Sequence, residues 1–312
     1  TRNMMKMIKR KDPTRPAFFY CSYMAPHPPL VPLQVYLDMY KDKELQEPYG
    51  DDWPDCYILK ALRYPGSQYS KEEAIRARKA FYAQCTQIDY EIRLLIGTLR
   101  ECNLLDDTII VFLSDHGDML FDHNMVAKRL MYDNSARIPL IITGKPALEY
   151  RGKGYEYKLA TMSDVMPTLL DMCGISIPDH VDGFPLFSSN KREYIYGEVS
   201  NGEKATRMIR NERYKLIYYP TGNVKQLFDM VNDPHETHDL SGTDEYKPIL
   251  ESMEKTLITE LYGSDLDWIK DGRLVGVEAP EEFQPNHDFG LYNQRGYHWP
   301  QPKGYSNKGK NA

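Results

Sequence analysis

The sequence has no long apolar run. Nowhere do hydrophobic residues continue for anything near the roughly 20 positions that a membrane helix needs. Positive charge is not in excess either. Lys and Arg number 39 against 45 acidic residues, a net charge of −6, so no nucleic-acid partner is expected. Cysteine is sparse and scattered. The five, Cys21, Cys56, Cys85, Cys102 and Cys173, include no CxxC pair, which argues against a zinc knuckle. An odd count in a chain of this size implies no disulfide scaffold. There is no internal repeat and no methionine at the first position. The basic stretch Lys6 to Arg15, followed by Ala17 to Met24, has the outline of a signal peptide. Pro16 divides the two parts, however, and the apolar run leads straight into a proline-rich loop. Ala17–Met24 therefore reads as a strand, and the natural N-terminus, with any export signal, is expected upstream of Thr1.

What is present is the composition of an ordinary globular protein. Of 312 residues, 41% are hydrophobic and 27% charged, enough for one large domain or two smaller ones. Ala25-Pro26-His27-Pro28-Pro29-Leu30 is a loop at a strand end, because its prolines remove backbone donors. Lys41 to Tyr69 is polar and broken by Gly50, Pro54, Pro65 and Gly66, the mark of a long surface insertion. From Ser70 the spacing predicts a helix. Ser70 and Glu73 have capping-box spacing, and apolar residues recur from Ile75 to Leu99 at helical period. Thr108 to Ser114 is a near-continuous β-branched run, the pattern of a strand covered on both faces, and Ile138 to Thr143 is a second. Ser163 to Cys173 reads as a short helix capped by Ser163 or Asp164 and stopped by Gly174.

This alternation predicts a doubly wound α/β sheet, parallel or mixed. Beyond it, Glu193–Val199, Ala205–Arg210, Tyr214–Tyr219 and Gln226–Phe228 are short and closely spaced, which predicts a small antiparallel sheet, with Lys247–Leu261 as a helix on it. The expected division is 1–190 for the α/β part, 191–265 for a small α+β subdomain and 266–312 for an irregular tail.

One segment carries most of the chemistry: Leu113-Ser114-Asp115-His116-Gly117-Asp118, then Asp122-His123-Asn124 and Lys128. Asp115 stands where a buried strand ends, the place where α/β sheets bind ligands. Asp115 and His116 offer an oxygen and a nitrogen donor, Gly117 permits a sharp turn, and Lys128 offers a cation to an anion. Together they are an inventory for hydrolysing a sulfate or phosphate ester. Taken singly, each has a plainer reading. An Asp after a strand is usually a turn or cap residue, a Lys is usually solvated, and His27 between prolines can simply bond its own loop. The combination, in this order, favours the site.

These stretches resemble the sulfatase family of the alkaline-phosphatase-like superfamily. Met24-Ala25-Pro26-His27-Pro28-Pro29-Leu30 is similar to its PHxP-type loop. Ser114-Asp115-His116-Gly117, His123, Lys128 and Arg137-Ile138-Pro139-Leu140-Ile141-Ile142 are similar to its second metal segment and following strand. Ser163 to Leu170 with Gly174 resembles its DxxPTLL…G helix. Arg213 to Ile217, Gln226 to Asp229 and Asp233 to Glu236 resemble its C-terminal sheet. The resemblance runs from about Ala17 to Leu261. It implies an alkaline-phosphatase-like fold and a sulfuric ester hydrolase. Asp115 and His116 would be ligands of one divalent cation, most often Ca2+. Many members have Asn where this chain has His116, and calcium prefers oxygen. His27 would meet the sulfate or the leaving oxygen as proton donor, Lys128 a sulfate oxygen, and His123 would line the site. A periplasmic or extracellular location is also implied.

The chain departs from the family in one respect. The family's nucleophile is a formylglycine made from Cys or Ser in a Cys/Ser-x-Pro/Ala-x-Arg motif, and neither the five cysteines nor any serine here fits. The early paired Asp ligands are missing too. The resemblance therefore implies a nucleophile segment before residue 1 and no turnover by this chain alone. In the tail, Gln294 to Pro300 holds His298 and Trp299. They suit a sugar ring and hence a sulfated carbohydrate; surface packing of the tail is the equal alternative. A phosphodiesterase or phosphonate hydrolase of the same superfamily, and a non-catalytic binding protein that keeps the fold, are the rival readings.

Overall fold

The computed structural model describes residues 1–50, 56–60, 69–152, 154, 159–189 and 191–280, with the backbone alone at 151, 292–293 and 296–297. Helix α1 (Arg2–Lys9) buries Met4 and Ile8, which lie four residues apart on one face, against Leu99. A short helix α2 (Gln34–Asp38) precedes the longest element, α3 (Lys71–Glu101). The capping box at its start is as the sequence predicts. Ser70 Oγ accepts from the Glu73 N–H at 3.2 Å, and Glu73 Oε2 accepts from the Ser70 N–H at 2.8 Å. Such a cap contributes about 1 kcal/mol. No helix among the described residues is long and apolar enough to cross a membrane.

Strands β1 (Ile110–Leu113) and β2 (Leu140–Thr143) form where the two apolar runs predict them. Their pairing differs from the expectation. They run antiparallel, with Phe112 opposite Ile141, and among the described residues no third strand joins them. Ala17–Met24 is not a strand. Its backbone joins no ladder, with Phe19 and Cys21 packed against the α1 cluster and Phe18 and Tyr20 exposed. A strand exists only through its ladder, and among the described residues no strand pairs with this segment. The Lys41–Tyr69 insertion is also corrected. Residues 57–60 form a helical turn, and Cys56, Ile58 and Leu59 are buried in a core cluster, because this apolar stretch covers a sheet face that would otherwise meet water. Residues 51–55 and 61–68 of that insertion lie outside the described residues.

After helix α4 (Asp133–Ala136), β2 and α5 (Lys145–Arg151) comes α6 (Val165–Met172), with Gly174 in the left-handed region just beyond it. Neither predicted cap residue caps α6. The Asp164 carboxylate instead accepts from the Thr161 and Phe184 N–H groups and pairs with Arg192. The C-terminal sheet is as predicted: β3 (Ile195–Val199), β4 (Thr206–Arg210), β5 (Tyr214–Tyr219) and β6 (Val224–Asp229) in sequential antiparallel order. Alternation sends Ile209, Leu216, Tyr218 and Leu227 to one face, under helix α7 (Lys247–Glu260). It sends Met208, Ile217, Tyr219 and Phe228 to the other, under Met119, Met125, Leu130 to Tyr132 and the Cys56–Leu59 stretch. The tail is ordered further than its composition predicts. Trp268 and Leu274, the latter on the small hairpin β7–β8 (Ile269–Lys270, Arg273–Leu274), complete the α7 face.

Candidate functional site

β1 delivers the chain to Ser114 and Asp115 at its carboxyl end. The His116 N–H donates to Asp115 Oδ1 at 3.0 Å, and the Gly117 N–H to the Ser135 carbonyl at 2.8 Å. A Cβ on Gly117 would lie 2.0 Å from the Asn134 carbonyl oxygen, so no other residue fits this turn. His116 Nδ1 lies 2.7 Å from the Gly117 carbonyl. A carbonyl only accepts, so Nδ1 carries the proton, and in the metal-binding tautomer Nε2 presents its lone pair. That lone pair faces Asp115 Oδ2 at 3.5 Å, on a carboxylate that is 81% exposed. Two acceptors side by side, with the ring held from behind by a carbonyl, fit a divalent cation between them. They supply two donors. Among the described residues no group of three or more His, Cys, Asp or Glu could hold a metal, so a full shell draws on water or on groups beyond these residues.

The loop from Asp118 to Lys128 is wound at five positions against backbone preference. Leu120, Phe121, His123, Asn124 and Ala127 all have positive φ, between 44° and 73°. Each such non-glycine residue costs about 1 kcal/mol or more and persists only where its surroundings over-determine it. Those surroundings are visible. Met119 and Met125 are fully buried against the C-terminal sheet, and the Met119 N–H donates to the Ala127 carbonyl at 2.8 Å. Asp118 Oδ1 accepts from the N–H groups of Leu120 and Ala127 at 2.9 and 3.1 Å. Buried Arg78 reaches from α3 to the Leu120 carbonyl at 2.8 Å, the Gln46 carbonyl at 2.7 Å and Asp122 Oδ1 at 2.5 Å. Asp122 also accepts from the Tyr49 N–H and from Asn134 Nδ2. Burial pushes the Asp122 carboxyl upward in pKa; the Arg78 charge and these bonds oppose it.

At the end of this loop Lys128 Nζ meets His27 Nε2 at 2.9 Å, across 101 residues of sequence. His27 Nδ1 lies 2.8 Å from the Pro28 carbonyl, so Nδ1 is the protonated nitrogen and Nε2 accepts from the ammonium. Gln84 on α3 holds the same loop through the Pro29 carbonyl at 3.2 Å. One helix thus steadies both partners, through Gln84 and Arg78. Asp118 lies in the chain between the Asp115–His116 turn and Lys128. Burial raises its pKa; its bonds to the Leu120 and Ala127 N–H groups and the nearby Lys128 charge oppose that.

His123 sits elsewhere. It is buried, stacked on Tyr132 at 5.0 Å and edge-on to Tyr49 at 5.3 Å, with its N–H on the Tyr49 carbonyl. Its ring fills the space beside Gly50, where a Cβ would lie 1.9 Å from Nδ1. His298 and Trp299 lie outside the described residues. Sequence reasoning missed Arg78, Gln84 and the supporting roles of Asp118 and Asp122. Arg78 did leave a signal. It falls in the apolar stripe Ala74, Phe81, Cys85, Ile88, Ile92, Leu95, Leu99, where a charge has no reason to be unless it is paired.

Two family models match the chain: Sulfatase over residues 1–175, and the C-terminal part of N-sulphoglucosamine sulphohydrolase over residues 121–262. An arylsulfatase of Clostridium perfringens is 35% identical over 286 residues, which is 86% of this chain and 58% of that protein. A choline-sulfatase of Rhizobium meliloti is 31% identical over 243 residues, 73% of this chain and 46% of that protein. The chain thus spans about half the length of these curated relatives. Among solved structures, BT4656 in complex with its substrate D-glucosamine-2-N,6-O-disulfate has a TM-score of 0.70 at 21% identity, over 83% of this chain and 68% of that one. The phosphonate monoester hydrolase of Agrobacterium radiobacter also has a TM-score of 0.70, at 22% identity, over 88% of this chain and 63% of that one. At such identities these structures share the fold.

Proposed function

This chain belongs to the sulfatase family, and we propose that it forms the cation- and anion-binding part of a sulfuric ester hydrolase acting on a sulfated carbohydrate. The observation that carries the proposal is the meeting of Lys128 and His27 at 2.9 Å, at the far end of the loop that follows the Asp115–His116 turn. Lys128 binds the anionic oxygens of the ester and offsets charge that grows on them in the transition state. His27 stands next to it with Nε2 inward. Once Lys128 turns to the anion, Nε2 is released, takes a proton from solvent and gives it to the leaving oxygen. Asp115 and His116 would hold the divalent cation, which would supply Lewis acidity to the reaction. We take the cation to be Ca2+, with His116 as the donor that departs from calcium's preference for oxygen. The nucleophile is a formylglycine supplied by residues outside these 312. His298 and Trp299 contact the sugar, His123 supports the Lys128 loop from beneath, between Tyr49 and Tyr132, and the enzyme works in the periplasm or outside the cell.

The test uses the complete protein against paired aryl sulfate and aryl phosphonate esters and against sulfated sugars, with metal analysis of the purified material. Sulfate esters are the expected substrates. Turnover of the phosphonate with none of the sulfate would hand the site to the rival superfamily chemistry. Stoichiometric zinc or manganese in place of calcium would reassign the cation.

A further inference from the structure

We infer that Asp118 and Arg78 are positioning residues for Lys128, which they hold at the anion site by clasping the strained loop that carries it. The inference rests on the role proposed above for Lys128. The peptide groups around Leu120 are held from both sides: its N–H donates to Asp118 Oδ1, and its carbonyl accepts from Arg78 Nε. The same Asp118 oxygen accepts from the Ala127 N–H, so one carboxylate closes the loop at its neck, one residue before Lys128. Ala127 and Arg129, on either side of Lys128, have φ of 63° and 80°. Neither residue type favours that region. Relaxation at either position would move the root of the Lys128 side chain, and with it the reach of the ammonium to the anion.

Arg78 adds the second clasp from a rigid base. Its three nitrogens reach Leu120, Gln46 and Asp122, and Asp122 in turn receives Tyr49 and Asn134. Asn134 is the residue whose carbonyl packs against Gly117 of the cation turn. The Arg78–Asp122 pair therefore ties the Lys128 loop, the cation turn and the 46–50 segment to one helix. A buried pair of this kind adds little to stability compared with an apolar replacement, so specifying one loop geometry is the better account of its presence.

Asp118 sits two residues from a proposed cation ligand, and the alternative role is that its carboxylate itself serves the cation or a proton. The substitutions Asp118→Asn and Asp118→Ala separate the two. Asparagine keeps an acceptor oxygen for both N–H groups and loses the charge; alanine loses both. In the complete protein, Asp118→Ala is expected to raise KM for an aryl sulfate about tenfold or more with kcat changed less than about threefold, and Asp118→Asn to stay within about threefold of the parent on both. Inorganic sulfate titrated against the His27 15N resonance should bind about tenfold more weakly to the alanine variant and as the parent to the asparagine variant. Unchanged KM and sulfate affinity in Asp118→Ala, or equal damage in both variants, would overturn the inference. Should the alanine variant not fold, amide exchange in the parent still decides. The Leu120 and Ala127 N–H groups are expected to be protected about a hundredfold or more over open peptide, and free exchange there would overturn it. Absence of aryl sulfate turnover in the parent would sink the functional reading alone, because the exchange and sulfate measurements do not depend on it.

Discussion

The two sheets of this chain are built from similar runs of apolar residues and end in opposite circumstances. In the C-terminal sheet both faces are closed: Leu216, Ile217, Tyr218, Tyr219, Leu227 and Phe228 are wholly buried, between α7 on one side and Met119, Met125 and Tyr132 on the other. In the β1–β2 pair one face stays open. Phe112 and Ile141, directly opposite each other, are 38% and 53% exposed, and in the unpaired 17–24 segment Phe18 and Tyr20 are 80% and 78% exposed. The chemistry-bearing residues lie between these extremes. Asp115 hangs from the end of β1, while the loop leading to Lys128 is packed on the C-terminal sheet through Met119 and Met125. The site is steadied from its C-terminal side, and apolar patches like the other are normally covered.

The largest expected effect lies at the seam. Lys215 of β5 is buried and donates to Glu236 Oε1 at 2.6 Å, to the Met131 carbonyl at 3.0 Å and to Asp133, which also takes Arg210 at 2.6 Å. Lys215→Ala leaves buried Glu236 without a cationic partner and Asp133 to its arginines, and is expected to cost about 3–5 kcal/mol in urea unfolding. A cost below about 1 kcal/mol would show the seam to be dispensable. Burial holds Glu236 above its ordinary value despite Lys215, and the acid dependence comes from its neighbour Asp133. Burial pushes the Asp133 carboxyl up, but the Lys215 and Arg210 charges and hydrogen bonds outweigh it and hold its pKa below the ordinary value. Its contribution is therefore present above the unfolded carboxylate pKa of about 3.9 and is lost as pH falls through the lower folded value. Lys215→Ala should move the midpoint of acid unfolding to higher pH.

A matched pair of phenylalanines tests the contrast itself. Phe228→Ala empties a closed core and should cost about 3–5 kcal/mol, whereas Phe112→Ala, on the open face, should cost about 1 kcal/mol or less. Equal losses in thermal unfolding of the 312-residue chain would abolish the distinction between the sheets. In the complete enzyme, Lys128→Ala should lower kcat/KM by about 3 kcal/mol, as loss of one oxyanion donor does, and leave the metal content unchanged. Loss of the metal with Lys128 would mean that the two parts of the site are not separate.

How far the sequence revealed this arrangement varies from residue to residue. The Ser70 cap, α3, the four-stranded meander and α7 were legible because their signals are local: a capping box, a period of 3.6, a period of 2 with short turns. His27 and Lys128 were legible as a pair only through the family pattern, since nothing in the spacing brings residues 101 apart together. The direction of β2 was not legible. A short apolar run reads the same whether its neighbour is parallel or antiparallel, and the path of the 26 residues between Leu113 and Leu140 decides it. Cys56 to Leu59 looked like part of a polar insertion because four residues are too few to show a period. Arg78 was overlooked for the opposite reason: the helix around it was so regular that a charge in the stripe passed as noise.

The smallest expected effect separates the open face from a covered one. Ile141 is half exposed in this chain, and threonine keeps its β-branched shape and strand preference while giving up apolar surface. Ile141→Thr should therefore change the stability of the 312-residue chain by no more than about 0.5 kcal/mol. If the same face is covered in the complete protein, the substitution buries a hydroxyl there without a partner and removes apolar contact, at about 1–3 kcal/mol. The difference between the two measurements, rather than either alone, reports whether β1 and β2 continue into a wider sheet. A cost in the complete protein as small as in this chain would mean that the pair keeps an open face there too, and that its exposed phenylalanine and isoleucine need another explanation.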